Sequence, residues 1–258
     1  MALNADLRLT SIPPGLRSEL EEAAYNHGYR RDMGEANGWL YFASDINVPG
    51  EIGLAVAAGG SAWFLAVEHP GVAAELGAPA AAPVPTGKLA AFGFDLQSAM
   101  RQALHRTYEL SCSLPTLPLH EYLAGTSALG DTEADRVTKQ RIGQDVFRRA
   151  LIRYWDGRCP LTGIREPELL RASHIVPWAE CETDAQRLDV HNGLLLSAHW
   201  DAAFDAGLVS FAGDGSAIFR PELTVEARSV LQTPDNSKLP LTDLHRVNLQ
   251  WHRTRSAL

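Results

Sequence analysis

The sequence predicts an α+β protein with two domains. In the first half, aromatic and β-branched residues cluster around glycines at 38–46 and 50–68, as they do in the strands of a sheet. In the second half, a long helical pattern at 132–155 precedes two short apolar runs and a shorter helical pattern. A chain of 258 residues is long enough for one large or two small domains.

The first half is expected to form a mixed α/β domain over residues 1–115. The runs around glycine turns predict two or three strands, and a stretch rich in Pro and Ala at 78–87 predicts a loop or spacer. Helices are predicted at 16–27, 69–78 and 96–110. Two prolines and the lack of a sustained period predict an interdomain linker at 116–134.

The second domain, residues 135–258, is led by the strongest helical pattern in the chain. Thr132 is placed to cap this helix, whose apolar residues fall on one side. Two short strands are predicted within 167–178 and at 193–197, with a polar loop between them. A helix closed by Gly207 and a hairpin with Gly-Asp-Gly at its tip follow.

Composition and charge exclude several classes of protein. The hydrophobic content of 45% is ordinary for a globular chain, and neither a signal peptide nor a membrane span is expected. Three scattered cysteines do not make a disulfide framework and favour a reducing cytoplasm.

The net charge of −8 argues against nucleic-acid binding, yet residues 136–171 carry nine Lys or Arg against four Asp or Glu. This local basic segment is compatible with phosphate contact or with a solvated helix face.

The basic segment leads into a constellation of polar residues. His174 ends the first short strand, in RASHIVPWAE, and Asn192 precedes the second. Asp201 and Asp205 are four residues apart on the following helix, so they share one face and could hold a hard divalent cation. His199 points elsewhere on an ideal helix, although a frayed first turn would let it reach the same site.

Four stretches of this region share a recognisable pattern: RCPLTG (158–163), LLRASHIVPW (169–178), RLDVHNGLLLS (187–197) and HWDAAFDAGLVSF (199–211). Together they resemble the HNH nuclease superfamily, whose ββα-metal fold is a two-stranded hairpin followed by a helix. The similarity is greatest to the subgroup found in bacterial restriction-type endonucleases.

The resemblance implies a role for each matching residue. His174 corresponds to the general base that activates water, which suits a neutral imidazole. Asn192 corresponds to the asparagine that orients this histidine, and Asp201 stands where many members place a metal-binding histidine. Asp205 is a second candidate ligand. The implied cofactor is one Mg²⁺ or Mn²⁺ ion.

The chain departs from the family pattern in its ligands. Ser173 precedes the base histidine where many members have Asp or His, and its hydroxyl is only a weak candidate ligand. The resemblance therefore leaves open loose binding of the metal, binding through water, or binding by His199 instead. Cys159 and Cys181 lack the partners of a four-ligand knuckle, and no structural zinc is expected. Three arginines are candidates for contact with flanking DNA phosphates: Arg148, Arg149 and Arg171.

The sequence therefore predicts a metal-dependent DNA endonuclease of restriction type, with the first domain as a specificity or interaction module. A modification-dependent enzyme is one form of this hypothesis, since aromatic residues of the first domain could stack a flipped base. Core packing is the favoured interpretation of that aromatic set: Trp39, Tyr41, Phe42, Trp63 and Phe64. A homodimer is expected because one site cuts one strand. The alternatives are a nicking or structure-selective nuclease, and an HNH-fold DNA-binding protein with impaired catalysis.

Overall fold

The computed structural model describes residues 12–77, 83–234 and 237–258. The chain divides into two compact units, Met1–Cys112 and Ser113–Leu258. Helices and strands occur in both units, as the predicted mixture of α and β elements requires. Of the expected Pro/Ala loop at 78–87, residues 78–82 lie outside the described residues, and the remainder is turn and irregular backbone.

The first unit is built on one antiparallel sheet with strands in the order β1-β2-β3-β4-β5. Its elements are α1 (Pro14–Asn26), β1 (Arg31–Ala36), β2 (Trp39–Ala43), β3 (Ile52–Val56), β4 (Trp63–Val67), α2 (Pro70–Leu76), β5 (Ala90–Phe94) and α3 (Gln97–Ser113). The three predicted helices and the strands around the glycine turns are confirmed. The sheet, however, has five strands where the apolar pattern predicted two or three, and neither β1 nor β5 was predicted.

The two additional strands, β1 and β5, lie at the edges of the sheet. All six residues of β1 are exposed, so its sequence RDMGEA carries no apolar alternation. The strand β5, AAFGF, is short and rich in Ala and Gly, which are depleted in strands. Backbone pairing to β2 and to β4 forms these strands despite their weak propensity.

The aromatic residues of the sheet belong to its core. Trp39, Phe42, Trp63 and Phe64 are buried, and Tyr41 is half-buried. Both faces of β3 and β4 are covered, since every residue of these strands is buried. The favoured interpretation of this aromatic set as core packing is therefore correct for its four buried members.

The second unit combines a long helix with two hairpins. Its elements are α4 (Thr116–Thr126), α5 (Glu133–Tyr154), β6 (Leu170–His174), α6 (Asp184–Leu188), β7 (Gly193–Ser197), α7 (Ala198–Asp205), β8 (Val209–Phe211), β9 (Ala217–Phe219), α8 (Val225–Val230) and α9 (Asp243–Ser256). The long helix, both predicted hairpin strands, α7 and the β8–β9 hairpin are confirmed. No described helix is long and apolar enough to cross a membrane.

The predicted linker at 116–134 is wrong over most of its length, because residues 116–126 form the helix α4. This helix packs against α5, and Glu121 accepts a hydrogen bond from Arg149 at 2.9 Å. Its two prolines are compatible with a helix, because Pro115 is the N-cap and Pro118 lies in the first turn, where the backbone N–H has no helical partner.

The start of α5 agrees with the prediction in detail. Thr132 is the N-cap, its hydroxyl accepts from the backbone N–H of Asp135, and the Asp135 carboxylate accepts from the backbone N–H of Thr132. The buried side of the helix includes Val146, Phe147 and Leu151, which face the β6–β7 hairpin. The helix therefore forms the support on which the hairpin is built.

Candidate active site

The polar constellation lies on a strand–strand–helix arrangement. Strands β6 and β7 pair antiparallel, with His174 opposite Gly193 and Leu170 opposite Ser197. The helix α7 begins at the residue after β7. This register brings the end of the first strand, the start of the second and one face of α7 into a single region.

The His174 ring is held in one tautomer. Its Nε2 lies 2.9 Å from the backbone oxygen of Arg187, and because a carbonyl only accepts, Nε2 carries the proton. The Nδ1 atom therefore keeps its lone pair. Burial lowers the pKa of His174, and the bond to the Arg187 carbonyl opposes this in part. The imidazole is thus neutral and able to accept a proton at neutral pH.

Two aromatic rings set the plane of the imidazole. Phe147 of α5 stacks on His174 with 3.7 Å between centroids and 15° between planes, and Trp178 meets it edge-on at 5.8 Å. Gly193 permits this close approach, since a Cβ there would lie 2.5 Å from Cζ of Phe147 and 2.8 Å from Cδ1 of Leu151. The sequence placed Phe147 on the buried side of the helix, but its contact with the histidine had no local signal.

Asn192 is buried and holds the loop that follows His174. Its Oδ1 accepts from the backbone N–H of Val176 at 2.8 Å, and its Nδ2 donates to the backbone oxygens of Val176 and Gln186. Its own backbone oxygen accepts from the N–H of Ile175. Through these bonds Asn192 holds the backbone on both sides of Ile175, directly after His174.

Arg187 fastens the same loop from its other end, a role that sequence reasoning missed. Its guanidinium donates to the backbone oxygens of Trp178 and Cys181 and pairs with Asp184 at 2.8 Å. Its backbone oxygen is the acceptor for His174. A carbonyl has no side-chain signature, so only the fold could identify it.

Ser173, Asp201 and Asp205 form a small polar group beside the histidine. The Ser173 hydroxyl lies 3.4 Å from Oδ1 of Asp205, and it also interacts with Asp201. Burial raises the pKa of Asp201, although the Ser173 hydroxyl and the charge of Arg171 oppose the shift. Burial also raises the pKa of Asp205, and the neighbouring charge of Asp201 adds to the effect. A nearby cation would therefore favour the ionised form of both carboxylates.

The group fits a hard divalent cation through two carboxylates and one hydroxyl. Mg²⁺ is commonly held by one or two carboxylates, with water and substrate phosphate completing its shell. A larger protein ligand set is not present: no group of three or more His, Cys, Asp or Glu among the described residues could hold a metal ion. His199 is exposed on α7 and makes no three-ligand set with Asp201 and Asp205 in the described part of the chain, so its place as an alternative ligand stays a prediction.

The three arginines predicted to bind DNA have different environments. Arg148 donates to the backbone oxygens of Leu170 and Pro167, at 2.9 and 2.8 Å, so its guanidinium fastens α5 to the start of β6. Arg149 pairs with Glu121 of α4. Arg171 is exposed, and its charge acts on Asp201. Only Arg171 of the three therefore lies beside the carboxylate group.

A cleft of about 200 Å³ connects the base with one of the carboxylates. We call it the His174 cleft; His174, Asp205, Arg220, Trp251 and Arg255 are among the residues that line it. Arg220, Trp251 and Arg255 were not identified from the sequence. They come from the region after β9 and from the last turns of α9, where no motif marked them.

Residues 159–212 match a family model described as HNH endonuclease. The matched segment contains β6, β7 and α7, and it supports the HNH superfamily and a nuclease activity for this part of the chain. It includes His174, Asn192 and both aspartates, but not Phe147 or the C-terminal residues of the His174 cleft. No curated protein matches the chain.

Proposed function

We propose that the protein is a metal-dependent endonuclease that hydrolyses phosphodiester bonds in DNA. The observation that carries this proposal is that His174 and Asp205 line one cleft, with Nδ1 of the histidine available as a base. A base and an anionic cation site at one cleft are the parts that phosphodiester hydrolysis by water requires.

In the proposed reaction, Nδ1 of His174 accepts a proton from a water molecule, whose oxygen attacks the phosphorus atom. The bond between phosphorus and the leaving oxygen breaks, and that oxygen takes up a proton from solvent water. A bound Mg²⁺ or Mn²⁺, held by Asp201, Asp205 and the Ser173 hydroxyl, would supply Lewis-acid stabilisation of the charge on the phosphate and the leaving oxygen. Asn192 and Phe147 act as positioning residues, and Arg171 is placed to contact a flanking phosphate.

We infer a restriction-type role as the finer form of this function, with the first unit as its specificity or interaction module and a homodimer as the assembly that cuts both strands. The burial of Trp39, Phe42, Trp63 and Phe64 weakens the idea that they stack a flipped base. A modification-dependent enzyme would have to read DNA through other residues. A catalytically impaired DNA-binding protein remains the second candidate, because Ser173 stands where a stronger ligand is usual.

The test is a plasmid cleavage assay with the wild type, His174→Ala and the exposed control His199→Ala. Unmodified plasmid and plasmid with methylated or hydroxymethylated cytosine are each incubated with Mg²⁺, Mn²⁺ or EDTA. We expect metal-dependent cutting that His174→Ala abolishes and His199→Ala retains. DNA binding by a folded wild type that cuts no plasmid with either metal would replace the nuclease by the binding protein.

A further inference from the structure

Residues beyond the matched segment also line the His174 cleft, among them Arg220, Trp251 and Arg255. Arg220 follows β9, whereas Trp251 and Arg255 belong to the last turns of α9. Two guanidinium groups therefore lie at the cleft that holds the base and Asp205. Guanidinium is the side-chain group best matched to phosphate oxygens, because its planar donors bind them in pairs.

The fold holds this part of the chain in place. Nη2 of Arg220 donates to the backbone oxygen of Ser256 at 3.1 Å, which ties the region after β9 to the end of α9. Gly207 has φ +64°, and a Cβ there would lie 3.0 Å from Oγ of Ser256. The turn after α7 thus needs glycine both for its backbone conformation and for the close approach of α9.

Arg255 already has an anionic partner. Its Cζ lies 5.3 Å from the ring centroid of Trp251, and its Nη1 donates to Oε2 of Glu180 at 2.6 Å. Glu180 belongs to the short turn Trp178–Glu180 that follows His174 along the chain. Both side chains are substantially exposed, 59% for Arg255 and 37% for Glu180. An exposed ion pair contributes little to stability, so replacing its carboxylate by another anion costs little free energy.

We propose that Arg220 and Arg255 bind a DNA backbone phosphate next to the one that is cleaved. In the free protein Glu180 pairs with Arg255, and this phosphate displaces the Glu180 carboxylate when DNA binds. This inference rests on the proposed endonuclease function. The cleft is smaller than the roughly 300–1,000 Å³ typical of small-molecule pockets. That size favours one backbone phosphate over a bound nucleotide. The Glu180 carboxylate then competes with the DNA phosphate for Arg255, which weakens DNA binding at this site.

The test measures binding of a short fluorescein-labelled DNA duplex in EDTA, with every variant built on His174→Ala so that nothing is cut. Arg255→Gln should weaken binding roughly tenfold and reduce the slope of log affinity against log salt by about one. Glu180→Gln should tighten binding, because it releases Arg255 and removes a negative charge. In the Arg255→Gln background, Glu180→Gln should tighten binding by clearly less, since only the removal of its negative charge remains.

Arg165→Gln is the matched control, because Arg165 is also exposed and paired with a carboxylate, Asp156. Equal weakening by Arg165→Gln and Arg255→Gln, or weaker binding by Glu180→Gln, would overturn the proposal. Plasmid cleavage with His174 intact separates the two hypotheses. If the wild type cuts DNA but these variants bind alike, the phosphate site fails and the nuclease stands. If it cuts nothing but the binding pattern holds, the nuclease fails and the site stands.

Discussion

Phe147 lies parallel to the imidazole of His174, with 3.7 Å between the two ring centroids. The stacking fixes the plane of the histidine, and the hydrogen bond to the Arg187 carbonyl fixes which nitrogen carries the proton. Phe147 belongs to α5, which precedes the matched segment. The orientation of the proposed base therefore depends on a helix outside the HNH match.

Phe147→Leu should lower kcat for plasmid cleavage by roughly tenfold while leaving KM for DNA nearly unchanged. Leucine keeps most of the buried volume but cannot stack, so the imidazole gains freedom and the attacking water is less well aligned. Steady-state kinetics together with thermal unfolding separates this effect from a loss of fold. Val146→Ala, a buried position on the same helix, is the control and should reduce stability without reducing kcat. Full kcat in Phe147→Leu would mean that stacking does not position the base.

Asp205→Asn should stabilise the metal-free protein by about 0.5 kcal/mol, because it removes one of two like charges at i and i+4. It should also reduce the rise in Tm that Mg²⁺ or Mn²⁺ produces in the wild type, since a cation that binds the folded state stabilises it in proportion to its affinity. Thermal unfolding in EDTA and in each metal measures both effects. Asp243→Asn on α9 is the control, where the metal-dependent shift should persist. An unchanged shift in Asp205→Asn would remove Asp205 from the metal site.

Gly143→Ala should destabilise the second unit although alanine is the better helix former. A Cβ at this position of α5 would lie 2.1 Å from Cη2 of Trp178, the ring that meets His174 edge-on. Overpacking of this kind costs about 1–3 kcal/mol, more than the ~1 kcal/mol gained in helix propensity. Urea unfolding should show the loss. Gly125→Ala on the exposed side of α4, where the nearest atom is 3.4 Å away, should instead be neutral or stabilising.

His252 should make the stability of the second unit fall below neutral pH. Nε2 faces the Phe204 carbonyl and Nδ1 faces the Ser210 hydroxyl, so the neutral ring is satisfied. Burial, aided by the charges of Arg253 and Arg255, lowers the pKa of His252 below the ordinary 6.5. Below that pH the unfolded chain binds more protons than the folded one, and stability therefore decreases as the pH falls.

The check is the free energy of unfolding measured as a function of pH for the wild type and for His252→Gln. The variant should lose less stability than the wild type between about pH 7 and 5, because glutamine does not titrate. His199→Gln, at an exposed position of α7, should leave the wild-type curve unchanged. Parallel curves for the wild type and His252→Gln would show that the buried ring is not the cause.

Much of the candidate site was predictable because its signals are local. The strands β6 and β7, the helix α7 and the capped start of α5 each follow from a short apolar pattern or a capping residue. Strand ends and i, i+4 spacing then bring His174, Asn192, Asp201 and Asp205 into one region. For His199 the same local reasoning left two positions open, away from the site on an ideal helix or toward it from a frayed first turn, and the structure has it exposed.

The edge strands β1 and β5 and the helix α4 needed the tertiary structure. Their sequences carry weak patterns, and pairing or packing with residues far along the chain stabilises them. The environments of the arginines also depended on the tertiary structure. Arg148 donates to the backbone oxygens of Leu170 and Pro167, and Arg149 pairs with Glu121. Arg171 donates to the backbone oxygens of Glu168 and Leu170, and its charge acts on Asp201.

The sequence by itself determined the α+β class, the hairpin-and-helix segment and the candidate residues for its proposed chemistry. Periodicity and motif spacing record what a short piece of backbone needs for hydrogen bonding and burial. Only the tertiary structure decided that Phe147 and the Arg187 carbonyl orient His174 and that Arg220 and Arg255 line its cleft. These contacts join elements far apart in the chain, and a local sequence pattern does not specify which distant side chain will contact a given residue.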